Sequence, residues 1–148
     1  MASLDKQSQL KAIEASSNGI VISDPGQEDN PIIYCNPSFT RITGYRQEEV
    51  LGRNCRFLQG EDTDDTELRK LRKAIKDGKE VTVTLKNYRK DGTPFWNELH
   101  ISPVKGGGRL AYFVGIQNDI TQRVLAEQEA HAYKERLEST VDERTQEL

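Results

Sequence analysis

Three segments in the second half of the chain, residues 80–88, 93–103 and 109–119, alternate apolar and polar side chains. Asp91-Gly92 joins the first pair and Gly106-Gly107-Gly108 the second. A period of two marks a strand with one buried face, and an Asp-Gly pair tolerates the positive φ angles of a tight hairpin turn. The spacing therefore predicts an antiparallel meander. One face of such a sheet is apolar and must be covered, so the rest of the chain has to supply the cover.

The cover is legible as helical pieces. Asp64, with Glu67 three residues on, resembles a capping box, and Gly78 supplies a left-handed stop, which predicts a helix over 65–77. Residues 37–59 read as short helices interrupted by Gly44 and Gly52, too brief to stand alone, and are expected to wrap a pocket. Residues 20–23 and 31–35 predict two more short strands, joined as a hairpin through Asp24, Pro25, Gly26, Asp29 and Asn30. A short amphipathic helix is expected over 6–15, and a charged segment without Pro or Gly beyond Ile120 predicts a projecting helix. The result is one α+β core, divided as an N-terminal cap helix (1–17), a core (18–119) and a C-terminal linker helix (120–148). No repeat of solenoid length interrupts it.

Charge and composition narrow the function classes. A net charge of -3, with Lys and Arg scattered among acids, lacks the concentrated basic surface that nucleic acid requires. No apolar run approaches the roughly 18 residues of a membrane span, and the first ten residues lack the basic start and apolar middle of a secretory signal. Cys35 and Cys55 match no paired metal spacing, so no metal is expected. A cytoplasmic protein with free thiols is the expectation.

Some polar side chains fall where apolar ones belong. With Leu68 at zero on the 65–77 wheel, Leu71, Arg72 and Ile75 lie within roughly 60°. Arg72 is thus placed on the buried stripe, with Arg69, Lys73 and Lys76 on the solvated side. A guanidinium there meets an anion, or it snorkels to the edge or pairs with a carboxylate. In the strands, Asn87 shares a face with Val81, Val83 and Leu85, and Asn97 with Phe95, Leu99 and Ile101. Gln117 shares one with Ala111, Phe113 and Gly115. Inward carboxamides must be hydrogen-bonded, and two readings stand open. They tie down strand ends, or they meet a ligand edge of alternating carbonyls and ring nitrogens such as a flavin pyrimidine.

The run Gly52-Arg53-Asn54-Cys55-Arg56-Phe57-Leu58-Gln59-Gly60 resembles the flavin-binding signature of light-oxygen-voltage (LOV) domains, photosensory members of the PAS fold family. Asn36-Pro37-Ser38-Phe39, Thr43-Gly44-Tyr45 and Tyr88-Arg89-Lys90-Asp91-Gly92 resemble general PAS features, and the likeness covers residues 18–119. It implies a five-stranded antiparallel sheet with short helices around a pocket for flavin mononucleotide (FMN). It also implies that Cys55 forms a light-driven, thermally reversible bond to the flavin C4a carbon. Asn54 and Gln59 would lie near the ribityl chain, Arg56 and Arg72 would grip the phosphate, and Asn87 and Asn97 would bond the pyrimidine edge. Gln117 would face the ring carbonyl and N5 and relay the signal by turning its amide. Val21, Ser23, Asn30, Leu58, Leu68, Ile75, Leu99, Ile101, Phe113 and Gly115 would wall the ring.

The same resemblance makes residues 137–148 similar to connector helices that precede kinase or cyclase output domains. The module itself is then a sensor and not an enzyme. Val124, Leu125, Ala130, Tyr133, Leu137, Val141 and Leu148 form an approximate stripe, so a homodimer through the terminal helices is expected. Cys35 reads as a buried, inert thiol. Rival readings are a light-insensitive PAS module for ligand binding or dimerisation, and a flavin enzyme using Cys55 in turnover.

Overall fold

In the computed structural model, which describes residues 5–147 with side chains through Asp142, the antiparallel meander forms as expected. Its strands are β3 (Val81–Tyr88), β4 (Pro94–Gly106) and β5 (Arg109–Asp119). Gly92 adopts φ 88° at the first turn, and Gly107 and Gly108 adopt 59° and 78° at the second. β4 runs three residues past its expected end, because pairing with β5 resumes beyond an irregularity at Val104/Lys105 and continues to Gly106 opposite Arg109. β1 (Gly19–Ser23) and β2 (Ile32–Cys35) form the expected hairpin, and β1 adds to the free edge of β5. The order is β2-β1-β5-β4-β3, all antiparallel, so the first hairpin and the meander make one five-stranded sheet.

α1 (Lys6–Ala15) and α2 (Pro37–Thr43) are joined through the buried amide of Asn36, and the Ser38 hydroxyl adds a bond to the Ser16 carbonyl. Asn36 donates from Nδ2 to the carbonyls of Ile13 (2.9 Å) and Asn18 (3.0 Å), and its Oδ1 accepts from the N–H groups of Ile20 (2.8 Å) and Phe39 (3.1 Å). This is how a structural carboxamide behaves, with both ends saturated. α3 (Gln47–Val50) and a 3-10 turn (Cys55–Leu58) follow, and then α4 (Asp65–Asp77).

α4 begins at Asp64, whose side chain accepts the Thr66 N–H (2.8 Å), and ends at Gly78 with φ 64°. The capping box does not close. Glu67 accepts the Thr84 N–H of β3 (3.0 Å) and pairs with Lys70 (3.1 Å), so a tertiary donor takes the carboxylate and pins α4 to the sheet. The buried residues of α4 are Leu68, Leu71 and Ala74. The arc they define is centred on Leu71, and from that centre Arg72 lies about 100° away. Arg72 is accordingly exposed, which corrects its placement on the buried stripe. The wheel had been centred on Leu68, at the edge of the arc.

The core forms two clusters, one of Val21, Ile32, Cys35, Phe39, Val50 and Leu58, the other of Leu68, Leu71, Val83, Leu85 and Leu99. α5 (Thr121–Glu147) leaves the end of β5 and exposes Leu125, Tyr133, Leu137 and Val141. Leu148 of the expected stripe and residues 1–4 of the expected cap segment lie outside the described residues. Among the described residues, no helix is long and apolar enough to cross a membrane.

Candidate ligand pocket

The segment that carries Cys55 is held from both sides. The Ile32 N–H of β2 donates to the Arg53 carbonyl (2.8 Å), and the Gly52 N–H, at φ 84°, donates back to the Ile32 carbonyl (2.9 Å). Asn54 caps the 3-10 turn by accepting the Arg56 N–H (3.0 Å), and its Nδ2 donates to the Asp29 carbonyl (2.8 Å). At the far end Gln59 bridges to Asn87 of β3. A Cβ on Gly60 would stand 2.2 Å from the Tyr88 ring, so glycine lets the chain pass beneath that side chain. Cys55 is thus fixed over the inner face of the sheet.

Between this segment, α4 and the sheet lies a small cavity of about 80 Å³ that opens towards solvent. The sheet contributes Val21, Ser23, Asn87, Leu99 and Ile101, and β5 adds Phe113, Gly115 and Gln117. The roof is Asn54, Cys55, Arg56 and Gln59, with Asn30 from the β1–β2 loop and Ile75 from α4. Three residues do not line the cavity, two expected on the ring wall and one at the pyrimidine edge. Leu58 and Leu68 point into the two core clusters, and Asn97 sits one layer back, behind Asn87 and Gln117. Ile32, Leu71 and Leu85 line the cavity and were missed. Leu71 and Leu85 lie on faces the sequence already marked as inward.

The carboxamides are buried but not satisfied. Asn87, Asn97 and Gln117 are 3%, 0% and 1% exposed. Asn97 donates from Nδ2 to Asn87 Oδ1 (3.0 Å) and to Gln117 Oε1. Asn97 Oδ1, Gln117 Nε2 and Asn30 Oδ1 are left buried without a partner. Each such orphan costs about 1–3 kcal/mol, which Asn36 avoids entirely. Gly115 adds a cradle, because a Cβ there would meet Val21 Cγ2 at 3.0 Å and lie 3.7 Å from Gln117 Nε2. Gln117 Nε2 and Asn30 Oδ1 without partners, and Gly115 without a side chain, all on residues of one cavity, fit a flat heteroaromatic ligand edge.

Burial pushes the Cys55 thiol up to about 12; the nearby Gln117 amide pulls it down in part, and Cys35 adds a small upward push. The Gln117 amide acts on the thiol without its Nε2 reaching a hydrogen-bond acceptor. Burial, then Glu48, also raises the Cys35 thiol, which sits in the core. Neither cysteine is a resting thiolate near neutral pH.

The cavity opens into a wider cleft that shares Asn30, Asn54, Gln59, Leu71 and Ile75 with it and adds Asp29, Arg72 and Lys76, with Arg56 common to both. Arg56 forms an ion pair with Asp29. Lys76 is exposed, as expected for the solvated side of α4; it lies four residues from Arg72, about 40° round the helix, and lines this open cleft. His100 faces the opposite side of the sheet, where it bonds to Thr82 Oγ1 (2.7 Å) and pairs with Glu80 (2.6 Å).

These features define a class, a small-molecule-binding sensory fold, and the family profile of PAS domains matches residues 17–122. The chain belongs to the PAS domain family. A blue-light photoreceptor of Listeria monocytogenes is 51% identical over 134 residues, covering 90% of this chain and 50% of that protein. The solved LOV domain of a blue-light-activated histidine kinase from Erythrobacter litoralis is 47% identical with a TM-score of 0.68, covering 70% of this chain and 96% of that one. A LOV-domain structure concerned with a flavin analogue is 43% identical with a TM-score of 0.73, covering 89% and 95%. Within the PAS family the chain is therefore a light-oxygen-voltage domain. It spans about half the length of the Listeria relative it matches.

Proposed function

We propose that the chain is a blue-light-sensing module that holds FMN in this cavity and uses Cys55 as its reactive thiol. The observation that carries the reading is the pair of orphaned amide atoms, Gln117 Nε2 and Asn30 Oδ1, on residues that line a cavity roofed by Cys55. Asn87, with Asn97 bonded behind it, would hold the pyrimidine edge, Asn54 and Gln59 the sugar-alcohol chain, Asn30 the wall beside the ring, and Arg56 and Arg72 the phosphate. Val21, Ile75, Leu99, Ile101 and Phe113 exclude water from the ring. When bound, FMN supplies absorption of blue light and a ring carbon that accepts the Cys55 sulfur reversibly.

Cys55 keeps its proton on Sγ in the dark, because burial holds the thiol near 12. Gln117 offers an amide that can present either oxygen or nitrogen to its neighbours. Turning it reverses what it offers Asn97, whose Nδ2 now donates to its Oε1. Gln117 lies two residues before Asp119, and Asp119 Oδ1 accepts the Thr121 N–H (3.0 Å) at the start of α5. The Trp96 N–H of β4 donates to Thr121 Oγ1 (2.9 Å), so the first turn of α5 is tied to two strands of the pocket sheet. A rearrangement at Gln117 therefore has a short path to α5, two residues along β5 and then across the Asp119–Thr121 hydrogen bond. We assign the module a regulatory role in the cytoplasm, with pairing through the terminal helices and output through α5 to an attached or separate partner.

The test is one pair of spectra. The purified chain is expected to show a three-peaked flavin band in the blue that bleaches under illumination and returns in darkness. The Cys55→Ala variant is expected to bind FMN without bleaching in this way. Bleaching and recovery of the alanine variant at the parental rate overturns the reading.

A further inference from the structure

We propose that Lys76 is the third cation of the phosphate end and sets the preference for a phosphorylated flavin over an unphosphorylated one, an assignment that rests on the flavin reading above. The cleft outside the cavity is lined by Arg56, Arg72 and Lys76 and by a single carboxylate, Asp29. Asp29 is taken by Arg56. Among the described residues, Arg72 and Lys76 form no ion pair, although Arg69 and Lys70 of the same helix pair with Asp65 and Glu67. Arg72 and Lys76 are four residues apart on α4, where like charges repel and disfavour the helix. The cleft thus holds a surplus of two positive charges, which balances the two negative charges of a phosphate monoester above its second ionisation. A flavin that ends in a hydroxyl leaves that surplus unmet.

A plainer role exists for Lys76. It sits in the last turn of α4, where a cation interacts favourably with the helix C-terminus. That role stabilises the fold and is indifferent to which flavin is bound. Lys73 supplies the control, since it too forms no ion pair among the described residues but lies on α4 away from the cleft. The two roles separate in the ratio of affinities and not in either affinity alone.

The full chain, stripped of ligand, is titrated with FMN and with riboflavin while flavin fluorescence is followed. Lys76→Gln is expected to weaken FMN roughly three- to tenfold, as the loss of one partly exposed charge contact implies, and to leave riboflavin unchanged. Lys76→Arg restores the FMN affinity, and Lys73→Gln changes neither. Raising salt narrows the gap between the two flavins in the unsubstituted chain more than in Lys76→Gln. Equal weakening of both flavins, an unchanged FMN affinity in Lys76→Gln, or an equal loss in Lys73→Gln overturns the assignment. If the unsubstituted chain binds neither flavin, the flavin reading itself falls, and Lys76 falls with it.

Discussion

The Cys55 thiol gives the sharpest prediction, because burial moves its ionisation from an ordinary value of 9.0 up to about 12. At pH 9 an ordinary cysteine is half thiolate, whereas Cys55 is about one part in a thousand, and at pH 8 about one part in ten thousand. Chemistry that starts from the protonated thiol is then insensitive to pH over this range. Raising the pH from 7 to 10 is expected to leave the flavin bleaching yield per absorbed photon flat and to leave dark alkylation of Cys55 by iodoacetamide slow, followed by mass spectrometry. Stability supplies an independent check. The folded pKa lies above the unfolded one, so the stabilisation is complete below pH 9 and is lost as pH rises towards 12. Because Cys35 is raised as well, the comparison is a difference: the parent is expected to lose Tm relative to Cys55→Ser as pH climbs from 9 to 11. A bleaching yield or an alkylation rate that rises with a midpoint near pH 9 refutes the reasoning, since it requires an accessible, ordinary thiol.

Two further substitutions probe the cavity and its link to α5. Gly115→Val places methyl groups beyond a Cβ already 3.0 Å from Val21 Cγ2 and 3.7 Å from Gln117 Nε2, and is expected to weaken FMN uptake at least tenfold with the circular dichroism of the fold retained; undiminished uptake would move the ligand elsewhere. Asp119→Ala removes the acceptor for the Thr121 N–H and the partner of Arg89, and loss of such a cap costs about 1 kcal/mol. Hydrogen exchange in the first turn of α5 is expected to quicken while light-driven bleaching at Cys55 persists, and unchanged exchange would deny that Asp119 anchors the helix.

Much of the fold follows from local signals because its turns and caps are made locally. Gly92 and Gly108 take the positive φ angles their positions require, and Asp64 and Gly78 bound α4 as read. The inward amides were legible for the same reason, since strand alternation is a property of the backbone. What escaped depends on tertiary partners. Glu67 matches a capping box, but the Thr84 N–H across the interface is the partner it finds. Arg72 was misplaced because the centre of a buried arc is set by what the helix packs on, and Ala74, a weak hydrophobic signal, lies inside it. Leu71 and Leu85 point inward as expected, yet whether an inward residue meets core or cavity depends on where the Cys55 segment stops. The sequence holds no local mark of that edge.

Asn36 and Asn97 show what separates an amide locked in one orientation from one free to turn. Both are almost fully buried, but Asn36 bonds to backbone groups that cannot reverse their polarity. Asn97 bonds to two other side-chain amides, and each of those can turn. If Gln117 alone turned, its NH₂ would face the NH₂ of Asn97, donor against donor. If Asn97 alone turned, its oxygen would face the oxygens of both neighbours. The bonds survive only when all of them reverse together, and Asn97 then orphans its nitrogen and Gln117 its oxygen. The set β3–β4–β5 therefore has two complementary hydrogen-bonding faces of equal internal quality, and whatever occupies the cavity decides between them.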